Sequence, residues 1–280
     1  MYKISIITAT YNSAKTLEQT ISSVIEQDYS NVEYIIVDGK STDGTIDIIK
    51  KYEKYGIKWI SEEDSGLYEA LNKGLQLATG DYFQILGSDD SLYSKDTMSK
   101  IVSQIDDDID ILSAAVMVVD EKTKMNYPIY NYHARNKKEY YGGMIPHPGM
   151  FTKLSLGRKF KFDTKYKIAS DYKFFLQCYY DDNVKFKFVD DFVVFFANEG
   201  LSSDSAAFHR EDNLIYKELN LPFTDSPISS KNEWKRNLKI ILHKVHILEP
   251  LIELKNWLDV RMKSEEHHCD NKICRWCGRM

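Results

Sequence analysis

Cysteine is scarce in this chain. Its 280 residues contain four, Cys178 and the terminal group Cys269, Cys274 and Cys277. Usage this sparse and clustered does not describe a disulfide scaffold. Long hydrophobic runs are also missing. No stretch reaches the ~18 uninterrupted apolar residues that a membrane-crossing helix needs, so none is expected. A surplus of positive charge is missing too: the net charge is −5, which gives no global reason to expect nucleic acid as a partner. The opening Met1-Tyr2-Lys3-Ile4-Ser5-Ile6-Ile7 has too short an apolar run for a signal peptide and leads straight into a strand pattern. The expected location is the cytoplasm.

What remains is an ordinary globular composition, 43% hydrophobic and 28% charged, with length enough for a large core. The 19 Tyr and 13 Phe allow stacking on flat ligands, although most such rings serve packing. No repeat and no low-complexity block is present.

The first hundred residues alternate strands and helices. Ile4 to Thr8 and Val32 to Val37 are β-branched apolar runs, and Leu17, Ile21, Val24 and Ile25 fall at helical spacing between them. Thr42 is placed to cap a helix running from about Gly44 to Tyr55. Ile57 to Ile60 reads as a third strand, Leu67 to Ala78 as a helix with Gly80 as a stop signal, and Tyr82 to Leu86 as a fourth strand. This order implies a parallel sheet covered by helices on both faces. Ligands of such sheets bind at the carboxyl ends of the strands. Beyond Ile109 the pattern is mixed: strands over 109–119 and 184–197, an irregular aromatic stretch over 127–141, and helices over 169–180 and 206–219.

Each of the four strand ends carries polar residues: Thr8-Ala9-Thr10-Tyr11-Asn12, then Asp38-Gly39-Lys40-Ser41-Thr42-Asp43, then Ser61-Glu62-Glu63-Asp64-Ser65-Gly66, then Gly87-Ser88-Asp89-Asp90. Singly, Asp38-Gly39 is compatible with a plain turn and Asp89-Asp90 with a helix start. Four sets converging on one sheet edge are more informative than any one.

The chain resembles the family 2 glycosyltransferases with a GT-A fold. The resemblance is carried by ISIITATYNSAKTLEQTISSVIEQDY, EYIIVDGKSTDGT, SEEDSGLYEALNKGLQLATGDYFQILGSDD and IASDYKFFLQ, and covers roughly the first 210 residues. It implies an α/β fold, a Rossmann-like and mostly parallel sheet. Residues 1–220 would form the catalytic domain, with a nucleotide-sugar half to 105 and an acceptor-side half from 106. A helical extension over 221–263 and a disordered tail over 264–280 would follow. It implies a sugar transfer with inversion from a nucleoside diphosphate, UDP above all, to a hydroxyl of a growing glycan or lipid-linked saccharide, as in capsule, lipopolysaccharide or exopolysaccharide assembly.

By the same resemblance Thr8, Ala9 and Tyr11 line the nucleobase pocket and Asp38 accepts a hydrogen bond from the base. Lys73 and Asp64 lie near the donor sugar or diphosphate. Ser88-Asp89-Asp90 stands for the family's D-x-D element, with Asp90 the direct metal ligand and Asp89 near the ribose or metal; the first position is Ser rather than Asp. A hard divalent cation, Mn²⁺ or Mg²⁺, suits such carboxylates. Asp171 takes the place of the general base, the alternative being a helix-dipole partner. His147 positions acceptor or diphosphate, or is held in a Pro-rich turn. Asn198-Glu199-Gly200-Leu201-Ser202 and His209-Arg210-Glu211 resemble the family's Gly-rich loop and the helix after it, with the usual glycine pair not intact.

Other enzyme classes fit less well. Nucleotidyltransferases of similar fold carry a Gly-rich loop after strand one, which is absent here; a catalytically inactive binding protein would not need both Asp90 and Asp171; a glycosidase pair leaves the nucleotide-type loops unexplained.

Two features lie outside this frame. Lys231 to Lys263 carries eight Lys/Arg against four Asp/Glu, with Trp234, Leu238, Ile241, Leu242, Val245 and Leu248 at helical spacing. Such a helix suits peripheral contact with an anionic membrane, or packing on the catalytic domain or on a second subunit of a homo-oligomer. In the tail, His267, His268, Cys269, Cys274 and Cys277 could supply one tetrahedral zinc. The expectation is instead an unordered tail with free thiols.

Overall fold

The computed structural model describes residues 1–120, 123–137, 140, 145–197, 205–221, 265–267, 269 and 271–277. The helical extension expected over 221–263, with its basic amphipathic stretch over 231–263, lies outside these residues except for Leu221, as do Asn198 to Ser202. Among the described residues no helix is long and apolar enough to cross a membrane.

The β-branched runs of the first hundred residues become β1 (Ile4–Thr10), β2 (Val32–Asp38), β3 (Lys58–Ser61) and β4 (Tyr82–Ile85), separated by α1 (Leu17–Ile25), α2 (Thr45–Tyr52) and α3 (Leu67–Leu77). All four strands are parallel, β1 lying between β2 and β4 and β3 forming the outer edge. Ile4 and Ile6 of β1 pack with α1, α2 and the later helix α4 (Thr97–Val102), while Ile7 packs with α3 on the opposite face. Both faces are therefore buried, which is why these strands read as continuous apolar runs rather than alternating ones. Each such fully buried side chain stabilises the fold by about 1.5–3 kcal/mol.

Past β4 the strands turn mixed. The sheet continues antiparallel through β8 (Met150–Lys153) to β6 (Ile111–Val119) and β7 (Met125–Ile129), so one 10-stranded sheet joins the parallel strands to the mixed ones. The twelve-residue β9 (Phe186–Ala197) runs parallel along β6 and also pairs with the short β5 (Ser91–Leu92). Helices α5 (Leu154–Phe160), α6 (Ser170–Tyr179) and α7 (Ser205–Glu218) follow in chain order, α5 before α6 and α7 after β9. Lys173 of α6 is buried between Asp163 and Glu218, at 2.6 and 2.5 Å, which ties α7 to α6 through a paired charge.

Three expectations need correction. Thr42 does not cap α2: Gly44 takes the cap position in left-handed backbone, and Asp43 accepts the Thr45 amide at 3.1 Å. Gly80 is not a helix stop: α3 ends at Ala78 in extended backbone, and a Cβ on Gly80 would stand 2.7 Å from the Lys3 carbonyl oxygen. The glycine serves the close approach of the two chains. The tail is not unordered where it is described. Glu265–Glu266 (β10) pairs antiparallel with β7, and Cys274 and Trp276 are buried against Val119, Phe195 and Ala197.

Candidate active site at the strand ends

The parallel register decides where the polar residues meet. Thr10, Asp38 and Ser61 are direct neighbours on one rung at the carboxyl ends of β1, β2 and β3. Asp38 is fully buried there. Its carboxylate accepts the Ser41 amide at 2.9 Å, the Ser41 hydroxyl at 2.5 Å and the Ser61 hydroxyl at 2.7 Å, so its burial is compensated by three hydrogen bonds. The loops after β1 and β2 are laced together: Asn12 N donates to Ser41 Oγ at 2.7 Å and Thr42 N to Asn12 Oδ1 at 2.9 Å. Both loops use left-handed backbone at non-glycine residues, Asn12 and Lys40, a conformation costing roughly 1–2 kcal/mol outside glycine, asparagine and aspartate.

Thr8 is buried, and its hydroxyl donates to the Leu86 carbonyl at 2.8 Å. Its side chain therefore ties β1 to the end of β4. Ala9 is partly buried, and Tyr11 is 65% exposed with its ring at the rim. A Cβ on Gly39 would sit 3.0 Å from Asp64 Oδ2 and 3.4 Å from the Tyr11 ring. The missing side chain thus opens a narrow slot between Tyr11 and Asp64 beside Asp38. Lys73, expected close to the diphosphate, has its ammonium among Glu62 at 2.9 Å, Glu69 at 3.1 Å and the Glu63 carbonyl at 3.2 Å. The hydrogen bond to Glu62, then that to Glu69, raises its pKa.

The Ser88-Asp89-Asp90 turn follows β4. Ser88 Oγ lies 3.0 Å from Ser13 Oγ, which links it to the β1 loop. Asp90 is 1% exposed; Oδ1 accepts the Ala197 amide at 3.0 Å and Oδ2 the Gly87 amide at 3.1 Å. Burial, then the neighbouring Asp89 charge, pushes its pKa well above the usual carboxylate range; the two amides and the Arg275 charge pull it partly back. Asp89 is only partly buried. A Cβ on Gly87 would meet Asp90 Oδ2 at 2.7 Å and Asp89 Oδ1 at 2.8 Å. Both carboxylates therefore fold over one spot that only glycine leaves open. This paired set of hard oxygen donors fits a divalent cation of the Mg²⁺ or Mn²⁺ type.

Asp171 stands in the first turn of α6. Its Oδ1 accepts from the Tyr68 hydroxyl at 3.0 Å and from the Tyr172 amide at 2.9 Å. Tyr68 belongs to the first turn of α3, four residues past Asp64, so Asp171 is brought to the same sheet edge as the nucleotide loops. Burial raises its pKa to about 6 against the pull of these two hydrogen bonds. His147 is buried edge-on to Phe162 and Phe174, and its Nδ1 has no hydrogen-bond partner among the described residues. Burial lowers its pKa to about 4. It is therefore neutral at physiological pH and can offer a hydrogen bond but no positive charge.

Comparison with known proteins agrees with this geometry. The family model described as glycosyl transferase family 2 matches residues 5–164. The chain belongs to glycosyl transferase family 2. An uncharacterized glycosyltransferase of Methanocaldococcus jannaschii is 25% identical over 277 residues, 94% of this chain and 95% of that protein. The PGL/p-HBAD biosynthesis glycosyltransferase of Mycobacterium bovis is 39% identical over 104 residues, but that stretch is 36% of this chain and 41% of the relative. Among solved structures, S. aureus TarS 1-349 in complex with UDP-GlcNAc superposes with a TM-score of 0.62 at 24% identity, over 77% of this chain and 66% of that one. The Pyrobaculum calidifontis mannosyltransferase PcManGT, in complex with GDP-Man and Mn²⁺, gives 0.60 at 20% identity, over 81% and 68%. The fold is that of the GT-A glycosyltransferases.

Within this family 2 chain, two residues at the site have no role in the sequence reading. Glu211 of α7 accepts the amides of Lys167, Ile168 and Ala169 at 2.8, 3.0 and 2.9 Å. It fixes the loop that delivers Asp171. The only signal was its place in His209-Arg210-Glu211. Arg275 comes from the tail, where its amide donates to Gln19 Oε1 at 3.0 Å and its charge reaches Asp90. No local pattern marks a residue that acts 256 positions from its partner.

Proposed function

We propose that this glycosyltransferase takes a sugar from a nucleoside-diphosphate donor, UDP-linked, and passes it with inversion to a hydroxyl of a growing glycan or lipid-linked saccharide. The carrying observation is one of placement: Asp38 ends β2, Asp64 lies between β3 and α3, Asp89 and Asp90 follow β4, and Asp171 accepts from Tyr68 in the first turn of α3, so all five stand on the carboxyl-end side of the parallel strands. In this reading the base lies in the slot beside Gly39, stacked on Tyr11, with Asp38 and Asp64 at its edge. Asp89 and Asp90 would hold a Mn²⁺ or Mg²⁺ ion, which would supply positive charge against the departing diphosphate. Asp171 takes the proton of the acceptor hydroxyl as it attacks the anomeric carbon, the direct displacement that inverts configuration. His147, being neutral, orients the acceptor by a hydrogen bond. The stretch 231–263 would hold the enzyme at an anionic membrane face, where lipid-linked acceptors are presented. The TarS and PcManGT complexes support the donor class.

A screen of nucleotide sugars with and without Mn²⁺, read by thermal shift and donor hydrolysis, tests the reading. A UDP-sugar should raise the melting temperature in a metal-dependent way and be slowly hydrolysed. If no nucleoside-diphosphate sugar shifts or turns over, the proposal fails.

A further inference from the structure

The ends of four side chains meet beneath the outer part of the sheet. One ligand atom each from His267, Cys269, Cys274 and Cys277 falls within 4.8 Å of every other. Cys274 Sγ lies 3.4 Å from His267 Nε2, and Cys269 Sγ lies 3.6 Å from Cys277 Sγ. A disulfide needs sulfurs ~2.05 Å apart, and all four cysteines of the chain are free. A tetrahedron around zinc, with bonds of ~2.3 Å to sulfur and ~2.05 Å to nitrogen, has edges of roughly 3.8 Å between sulfurs and 3.6 Å between sulfur and nitrogen. The spacings of 3.4 and 3.6 Å come within about 0.2 Å of these edges, and every other pair lies within 4.8 Å.

The surroundings fit as well. His267 Nδ1 lies 3.0 Å from Asn126 Oδ1, and Asn126 is itself buried in β7. With Nε2 on a metal, Nδ1 keeps its proton and donates it to that amide oxygen, the outer hydrogen bond that metal-bound histidines make. The imidazole is further wedged between the rings of Phe195 at 4.5 Å and Trp276 at 5.2 Å. Cys274 is fully buried and Cys269 partly so.

We propose that His267 Nε2 and the sulfurs of Cys269, Cys274 and Cys277 bind one zinc ion in a closed, tetrahedral, structural site. Thiolate-rich tetrahedral sets select zinc over the hard cations that suit Asp89 and Asp90, and four protein ligands leave no open position for catalysis. The three thiols lose their protons to solvent on binding. The knuckle so formed holds two contacts to the nucleotide half: Asn271 Nδ2 donates to the Leu92 carbonyl at 3.3 Å, and Arg275 N to Gln19 Oε1 at 3.0 Å. The site is independent of the donor and acceptor chemistry proposed above, because it can be counted without any transfer assay.

Full-length protein purified without an affinity tag from zinc-supplemented medium should carry one zinc per chain by elemental analysis. After replacement by Co²⁺ it should show the visible bands of a tetrahedral thiolate site. Cys277→Ser, at the exposed ligand, should lose the metal with least disturbance of the core. Asn126→Ala keeps all four ligands and should weaken zinc binding about 10–100-fold. Zinc well below one per chain after incubation with Zn²⁺ and desalting would overturn the proposal. So would a disulfide among Cys269, Cys274 and Cys277 in non-reduced peptide mass spectra.

Discussion

The Tyr68 hydroxyl stands 2.6 Å from the Ile168 carbonyl oxygen and 3.0 Å from Asp171 Oδ1. Its single proton is thus shared between a backbone acceptor and the candidate base. The Tyr172 amide falls on the same oxygen, Oδ1, which leaves Oδ2 as the oxygen to receive a proton from an acceptor. The first prediction follows. Asp171→Asn should leave donor binding by thermal shift unchanged while transfer falls about 100-fold or more. Burial holds the Asp171 pKa near 6, and the base works only when ionised. Transfer should therefore decline as pH falls through about 6. Tyr68→Phe removes a hydrogen bond that lowers this pKa, so the acid limb of the kcat/KM profile should move to higher pH. A limb that stays in place, or an Asn variant as fast as the parent, would rule out Asp171 as the base.

The second prediction concerns Gly87. A methyl group there meets Asp90 Oδ2 at 2.7 Å and Asp89 Oδ1 at 2.8 Å. Gly87→Ala should spread the two carboxylates without emptying any part of the core. Metal-dependent donor turnover should drop about tenfold or more, the usual effect of disturbing the support of a metal site. The melting temperature without donor and metal should also fall, because displacing the buried Asp90 disturbs its bonds to the Ala197 and Gly87 amides. Unaltered Mn²⁺ dependence in this variant would mean that the pair does not hold the cation.

The third prediction is about stability. Glu33 is buried at the amino-terminal side of β2, where it accepts from Ser5 and Thr79 and lies 2.7 Å from Lys58 Nζ. Burial pushes its pKa up, but Lys58, Ser5 and Thr79 together bring it down to about 2, below its ordinary value of 4.5. The sign is that of a depressed carboxylate. The stabilisation is complete above pH 4.5 and is lost as pH falls toward 2. Glu33→Gln should lower stability to urea at pH 7 and flatten its decline between those values. Parallel urea melts at pH 7 and pH 3 measure both, and an unchanged acid slope would show that the ion pairs contribute nothing.

Much of this was legible because the parallel half is locally specified. Ile4 to Thr8, Val32 to Val37 and Tyr82 to Leu86 are buried on both faces, so their composition alone marks them as inner strands. The rule that ligands gather at carboxyl ends then pointed to the loops after these strands, and the family resemblance singled out Asp38, Asp64 and Asp89–Asp90 within them. The mixed half was less legible. Ser91–Leu92 is too short to show any period, and Met150–Lys153 runs directly into α5 with no turn residue between them. The pairing of Glu265–Glu266 with Met125 and Asn126 is set by distant partners, which no window of sequence contains. The same holds for the burial of Asp90, whose amide partner Ala197 is 107 residues away.

The bond from Arg275 to Gln19 spans 256 residues. Gln19 belongs to α1 and Asp90 follows β4, whereas Arg275 comes from the tail, where its charge acts on Asp90. The surroundings of Asp90 are therefore drawn from both ends of the chain, its loop from the first ninety residues and a cation from the tail. A chain clipped before residue 265 would lack this charge. The charge balance at a carboxylate of the first ninety residues is thus completed by the far end of the molecule.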